Sequence, residues 1–466
     1  MAAQSLQDIL DTTPDTVAML RNSRIGAYVY PVVPPEFSSW RDEQRAWRET
    51  AVLFDQSHHM AELMVTGSDA FDFLNGLGFN SFKGFTPGKA KHFIPCAPSG
   101  HVIGDVILFH LDDETFLLVG RAPTINWVQF QAGIAGASLR VARDDRSPAR
   151  PMGKPATRWH YRYQVQGPNA MAILEKLNGG PLPDVKFFNL DWITIAGRKV
   201  RALRHGMAGA PGLEVFGPYE EGEEIRAAIV EAGAEHGLRQ VGARAYATNT
   251  LESGWIPSPL PAVYTGDEMR AFREWLGADS YEATGSIGGS FVGDSIEDYY
   301  MTPQELGYGP FIRFDHDFIG RTALERSAEK PHRRKVTFEW NPDDVTKVHR
   351  SFLEDGETFK AIDLPLSNYA SSSYDKVMLA DRMAGLSMFS GYSYNARAML
   401  SLGVVDPDVR DGDVLTMIWG EEDGGTAKTT VEPHRQTEIR VKVAPVPYAR
   451  QAREHYAASS WRVRGH

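Results

Sequence analysis

Residues 204–217, RHGMAGAPGLEVFG, constrain this chain more than any other stretch: glycines stand at 206, 209, 212 and 217. A glycine inside a helix costs about 1 kcal/mol relative to alanine. Glycines spaced by three therefore exclude a stable helix and leave a loop, in which the backbone turns tightly or approaches a flat ligand. The run LEVF alternates as a strand and places Glu214 on it. A carboxylate there can accept paired N–H donors from a heterocycle. Spacing alone favours the plainer reading, a glycine-rich β-connection with a solvated glutamate.

Composition narrows the setting. The 466 residues suggest two to four domains, and 42% hydrophobic with 23% charged residues describe an ordinary globular chain. The formal net charge of −11 opposes non-specific nucleic-acid binding, which needs clustered cations. A single cysteine, Cys96, excludes an intrachain disulfide and a cysteine-based metal cluster, and it fits a reducing cytoplasm. Cys96 itself reads as a small buried apolar residue in an extended FIPCAP segment. The start, MAAQSLQDILDTT, has neither the basic nor the apolar region of a signal peptide. No apolar run is long enough for a membrane helix.

Along the chain, residues 5–22 read as a helix interrupted at Pro14, followed by an extended aromatic and proline-rich loop, GAYVYPVVPP. Two apolar strands flank a polar knot, Asp55-Gln56-Ser57-His58-His59. Strand alternation points His58 away from His59. Ser68 is expected to cap the next helix. A β-meander spans 89–119; Arg121 follows at a strand-to-helix junction, with Thr124 expected as the helix cap. Residues 142–157, charged and proline-rich, read as a linker or crossing segment. A strand, the Gln166-Gly167-Pro168 turn and a helix come next, then two strands, the glycine stretch and an acidic helix. Residues 305–324 read as strand, turn and helix start. From about 335 onward short strands alternate with turns, and an all-β unit is expected.

Several motifs in this order carry a resemblance. AVLFDQSHHMAELMVTGSDAFDFLN, SGHVIGDVILFHL, YQVQGPNA, RHGMAGAPGLEVFG and PQELGYGPFIRFDHDFIGRTALE resemble landmarks of the glycine-cleavage T-protein family, the folate-dependent aminomethyltransferases. RNSRIGAYVYPVVPPEFSSW, GRAPTINW and YATNTLESGWIPSPLPAVYTGD look like a branch of it, the tetrahydrofolate-dependent O-demethylases of vanillate, 3-O-methylgallate or syringate. The resemblance implies an α+β fold: a three-domain ring around a central folate channel, with a C-terminal all-β barrel or jelly roll. The expected divisions are 1–150 (aryl-substrate side, interlaced with the next), 151–330 (folate-binding) and 331–466 (β-barrel). It implies transfer of a methoxy methyl from an aromatic acid to tetrahydrofolate, without a metal. Nucleic acid and membrane are not expected partners, and the oligomeric state is left open.

The resemblance also assigns residues. Glu214 would anchor the folate, with Trp255, Gln166 and Asp105 as further folate contacts. Trp255 reads equally as a core tryptophan, and Gln166 as a residue that shapes its turn. Tyr246 would serve the methoxy oxygen, since a phenol can hydrogen-bond or donate to a leaving phenoxide. Tyr30 and His59 are the other catalytic candidates. Gln56 would bind a ring hydroxyl, His59 a hydroxyl or carboxylate, and Arg121 the benzoate carboxylate through its guanidinium fork. One departure stands out: the aminomethyltransferases carry paired acids where this chain has Gly104-Asp105, which argues against glycine-cleavage chemistry. Two alternatives remain. One is another methyl donor, such as a sulfonium. The other is a non-catalytic folate-binding protein, although the cysteine motif of those relatives is missing from TLESGWIPSP.

Overall fold

The computed structural model describes residues 4–136, 138–147, 157–257 and 259–456. Three sheets organise it. The first is antiparallel, in the order Lys89–Phe93, Val106–Asp112, Thr115–Gly120, Ala61–Thr66, Arg140–Asp144. The second runs Leu238–Gln240, Ala51–Asp55, His160–Gln166, Gly212–Pro218, Arg198–Leu203, Leu190–Ile195. The third is a closed six-stranded barrel made from Arg334–Trp340, Asp375–Leu379, Arg382–Ser393, Ala398–Val405, Val414–Trp419 and Thr437–Ala444. The expected α+β class with a C-terminal barrel is thus the observed architecture. Strand Ala51–Asp55 pairs antiparallel with His160–Gln166 and parallel with Leu238–Gln240, so the second sheet draws on chain from both sides of residue 150.

The barrel strands follow from their pattern. In Thr437–Ala444, TEIRVKVA, burial alternates residue by residue along most of its length, with Ile439, Val441 and Val443 inward, as the two-residue period of a strand requires. The barrel unit is not purely β. Helix Pro342–Arg350 packs on it, started by Asn341, whose side chain accepts the N–H groups of Asp343 and Asp344.

Other local expectations are corrected. Ser68 caps nothing: Asp69 precedes helix Ala70–Asn75 already in the right-handed helical region, and no side chain caps it. Thr124 lies inside helix Ala122–Ile134, and Arg121 occupies the N-cap position. Residues 305–324 contain no strand. Gly309-Pro310-Phe311 form a 3-10 turn before helix Arg321–Ser327, because proline lacks the N–H a ladder needs. The expected linker, 142–157, begins inside a strand, Arg140–Asp144; residues 148–156 lie outside the described residues.

One buried knot locks the barrel to the helices beside it. Glu252, 1% exposed, accepts from Trp47 Nε1 (3.2 Å), Ser393 Oγ (2.7 Å), Asn395 Nδ2 (3.1 Å) and the Arg48 guanidinium. Gln44 adds a bond to Thr248 Oγ1 at 2.9 Å. A buried carboxylate so fully partnered fixes its surroundings, and the segment it fixes carries Tyr246.

Candidate active site

A cavity of about 600 Å³ is lined by strands of the first two sheets, the 204–211 loop and the segment around Tyr246. All the expected site residues except Gln166 line it. They gather in three groups.

The first is aromatic. The rings of Tyr30, His59 and Tyr246 form a triangle with centroid separations of 4.5, 4.9 and 5.0 Å. Tyr246 Oη lies 3.3 Å from His59 Nε2. Burial pushes the phenols of Tyr246 and Tyr30 well above the usual tyrosine range, so both stay protonated and able to donate. Burial, reinforced by Arg121, Arg146 and Arg158, pushes His59 down to about 3; its imidazole is neutral near pH 7. Gln56 donates Nε2–H to Met207 Sδ at 3.0 Å. Gln56 Oε1 and His59 Nδ1 are buried with no protein partner among the described residues. Such atoms cost free energy unless a ligand or water meets them.

Arg121 closes this end. Its guanidinium lies 4.2 Å from the centre of the Tyr28 ring, and Nη1 reaches Tyr281 Oη at 3.5 Å. Arg146 sits over the same Tyr28 ring at 4.7 Å, and Tyr28 donates to the backbone carbonyl of His59. The proline-rich loop that carries Tyr30 is thereby pinned over the cavity. His58 faces away, with Nδ1 3.1 Å from Ser147 Oγ. The reason is a turn at residues 57–59, not the alternation of a strand.

The second group centres on Glu214, on strand Gly212–Pro218. Arg162, 1% exposed, donates to Glu214 Oε1 and, at 3.1 Å, to Glu62 Oε1. His160 Nδ1 adds a 2.7 Å bond to Glu62 Oε2. Burial alone would push the Glu62 carboxyl up; the His160 bond and Arg162 outweigh it and hold the group at about 2. Glu214 is therefore held by a buried cation where it lines the cavity.

The glycine loop and the strand that follows it are tight for internal reasons. A β-carbon on Gly206 would come within 1.9 Å of Gln166 Nε2, and one on Gly212 within 2.1 Å of the Val165 carbonyl oxygen. Gln166 is used up behind the loop, donating to Ala210 O (2.8 Å) and accepting from Ala208 N (2.7 Å). It shapes the wall rather than lining it.

The third group surrounds Asp105. Trp255 Nε1–H lies 3.1 Å from both Asp105 Oδ2 and Tyr308 Oη, and Trp255 lines the cavity. A β-carbon on Gly104 would meet Thr124 Oγ1 at 2.7 Å. The hydroxyl of Thr124 thus takes up space that a second acid would need. His92, Met207, Tyr281, Tyr308 and the Arg162–Glu62 pair escaped the sequence reading.

Comparison with known proteins identifies the class. Residues 24–258 match the family described as GCVT N-terminal domain. The chain is 51% identical over 463 residues to a syringate O-demethylase of Sphingobium sp. (strain NBRC 103272 / SYK-6), covering 99% of each chain. It is 32% identical over 433 residues to a sesamin methylene transferase of Sinomonas sp. (strain No.22), covering 89% of this chain and 90% of that one. The solved structure of glycine cleavage system aminomethyltransferase T from Bartonella henselae shares the fold, with a TM-score of 0.60 at 16% identity over 93% of this chain and 96% of that one. The chain belongs to the GCVT, or aminomethyltransferase T-protein, family.

Among the described residues no cluster of histidine, cysteine or acidic side chains could hold a metal ion, and no helix is long and apolar enough to cross a membrane.

Proposed function

We propose that this protein is a tetrahydrofolate-dependent aryl O-demethylase. It takes the methoxy methyl of a lignin-type methoxybenzoate, with syringate the foremost candidate, and transfers it to tetrahydrofolate. The products are a phenol and 5-methyltetrahydrofolate. One observation carries the choice of donor: Gln56 Oε1 and His59 Nδ1 stand buried, with no partner among the described residues, beside Tyr246, Tyr30 and Arg121. Gln56 Oε1 is an acceptor for a ring hydroxyl, Arg121 is a cation for the carboxylate, and Tyr246 is a donor for the methoxy oxygen.

An aryl ether leaves poorly because its phenol has a pKa near 10. Tyr246, protonated and held by His59, offers a hydrogen bond that strengthens as negative charge grows on that oxygen. The fixed aromatic triangle supplies orientation, a term worth several kcal/mol when reacting atoms are held in line. The other end of the cavity fits the methyl acceptor: Glu214 presents an oxygen to an amino-pyrimidine edge, and Trp255 offers a ring face. A sulfonium donor would bring a second cation next to Arg121, which disfavours it. The buried, unpaired Cys96 accords with a cytoplasmic setting.

The test is an assay of purified protein with tetrahydrofolate and a panel of methoxybenzoates. Syringate should give 3-O-methylgallate and vanillate protocatechuate; no phenolic product from any panel member would overturn the reading. Arg121→Ala should raise KM for benzoates by roughly 30-fold or more, from the at least 2 kcal/mol that a lost buried charge contact costs, while neutral methoxyphenols change little. An equal effect on both substrate types would remove the carboxylate role.

A further inference from the structure

Moving a methyl group from an ether to a secondary amine leaves two proton problems at opposite ends of one cavity. The C–O bond breaks and its electron pair stays on the oxygen, which needs a proton. The new N–C bond gives the nitrogen a fourth substituent, and it must shed its N–H proton. Tyr246 answers the first demand. The second demands a base, and Glu214 is already committed to Arg162.

We propose that Asp105 receives the amine proton and passes it to His92, a positioning and relay residue that returns it to solvent. This rests on the methyl-transfer reading above. His92 stands on strand Lys89–Phe93 and lines the cavity. Its Nδ1 is buried, has no hydrogen-bond partner among the described residues, and lies 3.8 Å from Asp105 Oδ2. That is one small side-chain adjustment short of a hydrogen bond. Trp255 Nε1–H, 3.1 Å away, restrains the same Asp105 oxygen. The His92 ring is set between Phe188 and Tyr308, with centroids at 5.6 and 6.1 Å.

The surrounding charges favour a neutral, proton-accepting imidazole. Burial pushes His92 below the ordinary histidine range; Asp105 opposes this, and Lys335 adds to it. Lys335 comes from barrel strand Arg334–Trp340, where a β-carbon on Gly307 would meet its Nζ at 2.9 Å. His205, on the glycine loop, is also held neutral, pushed down to about 3 by burial and by His92. Tyr308 stays protonated, its phenol raised by burial and by Asp105. The step balances: the amine proton goes to Asp105, then to His92, then to water. Tyr246 gives its proton to the phenolate and regains one from water.

Two measurements test this. In the first, 15N-histidine-labelled enzyme is titrated by NMR, with the His92 signal assigned from its loss in His92→Phe. Asp105→Asn should lower the His92 pKa by about 1 or more, the effect of removing an adjacent opposite charge. An unchanged titration overturns the pairing whether or not the enzyme turns over. In the second, His92→Phe should cut kcat by about 100-fold or more. Tetrahydrofolate affinity, read from tryptophan fluorescence, should stay within threefold, and added imidazole should restore turnover. A kcat within threefold of the parent enzyme, or a loss that follows weakened binding without imidazole rescue, overturns the relay. Failure of the parent enzyme to release any phenol would instead refute the reaction itself.

Discussion

Tyr246→Phe should retain folate binding and lose about 10²- to 10⁴-fold in kcat, the range that general acid catalysis by a placed side chain contributes. The substitution removes one oxygen, the atom 3.3 Å from His59 Nε2. It keeps the ring that packs on Tyr30 at 4.5 Å and edge-on against Phe54 at 5.4 Å, so the triangle should stand. Single-turnover kinetics with syringate, alongside tetrahydrofolate titration, separates the two effects. Near-normal turnover would mean that the leaving oxygen is served by another donor. A parallel loss of folate affinity would mean that the hydroxyl supports the cavity and not the reaction.

Arg162→Ala should lower folding stability by about 3–5 kcal/mol, the cost of leaving a buried charge network without one partner. Arg162 bridges Glu62 and Glu214, and its guanidinium also lies over Phe216 at 4.5 Å. Without it two carboxylates remain in a nearly dry wall. A urea unfolding series would show the drop as a lower midpoint, and tetrahydrofolate binding should weaken with it, because Glu214 loses its aim. A midpoint unchanged within error would show that water enters to solvate both acids.

The sequence made some of this legible and hid the rest for identifiable reasons. Barrel strands such as TEIRVKVA announce themselves by alternation, which depends only on neighbours in the chain. The polar knot at 55–59 stood out as a break between two apolar strands, and Gln56 and His59 do reach the cavity. The glycine stretch is a loop only as far as residue 211, since Gly212 and Gly217 stand in strand Gly212–Pro218; its tightness comes from Gln166 and the Val165 carbonyl, which spacing cannot reveal. Arg162 was invisible because an arginine in a strand reads as an exposed residue; only the sheet brings it between two acids. Thr124 failed as a cap because the helix begins two residues earlier, which places Arg121 at its N-terminus. Trp255 and Asp105 were named separately, and only the fold joins them through one N–H.

Strand Ala51–Asp55 has a consequence for biosynthesis. Both of its neighbours, His160–Gln166 and Leu238–Gln240, emerge from the ribosome long after it does. Until then this apolar segment is a strand with two open edges, a template for pairing with other chains. The nascent N-terminal part therefore cannot finish folding as a unit, and contacts this distant in sequence slow the search for the native state. The risk of aggregation during synthesis concentrates there, on AVLF, in the residues that lead directly into the turn carrying Gln56 and His59 to the cavity.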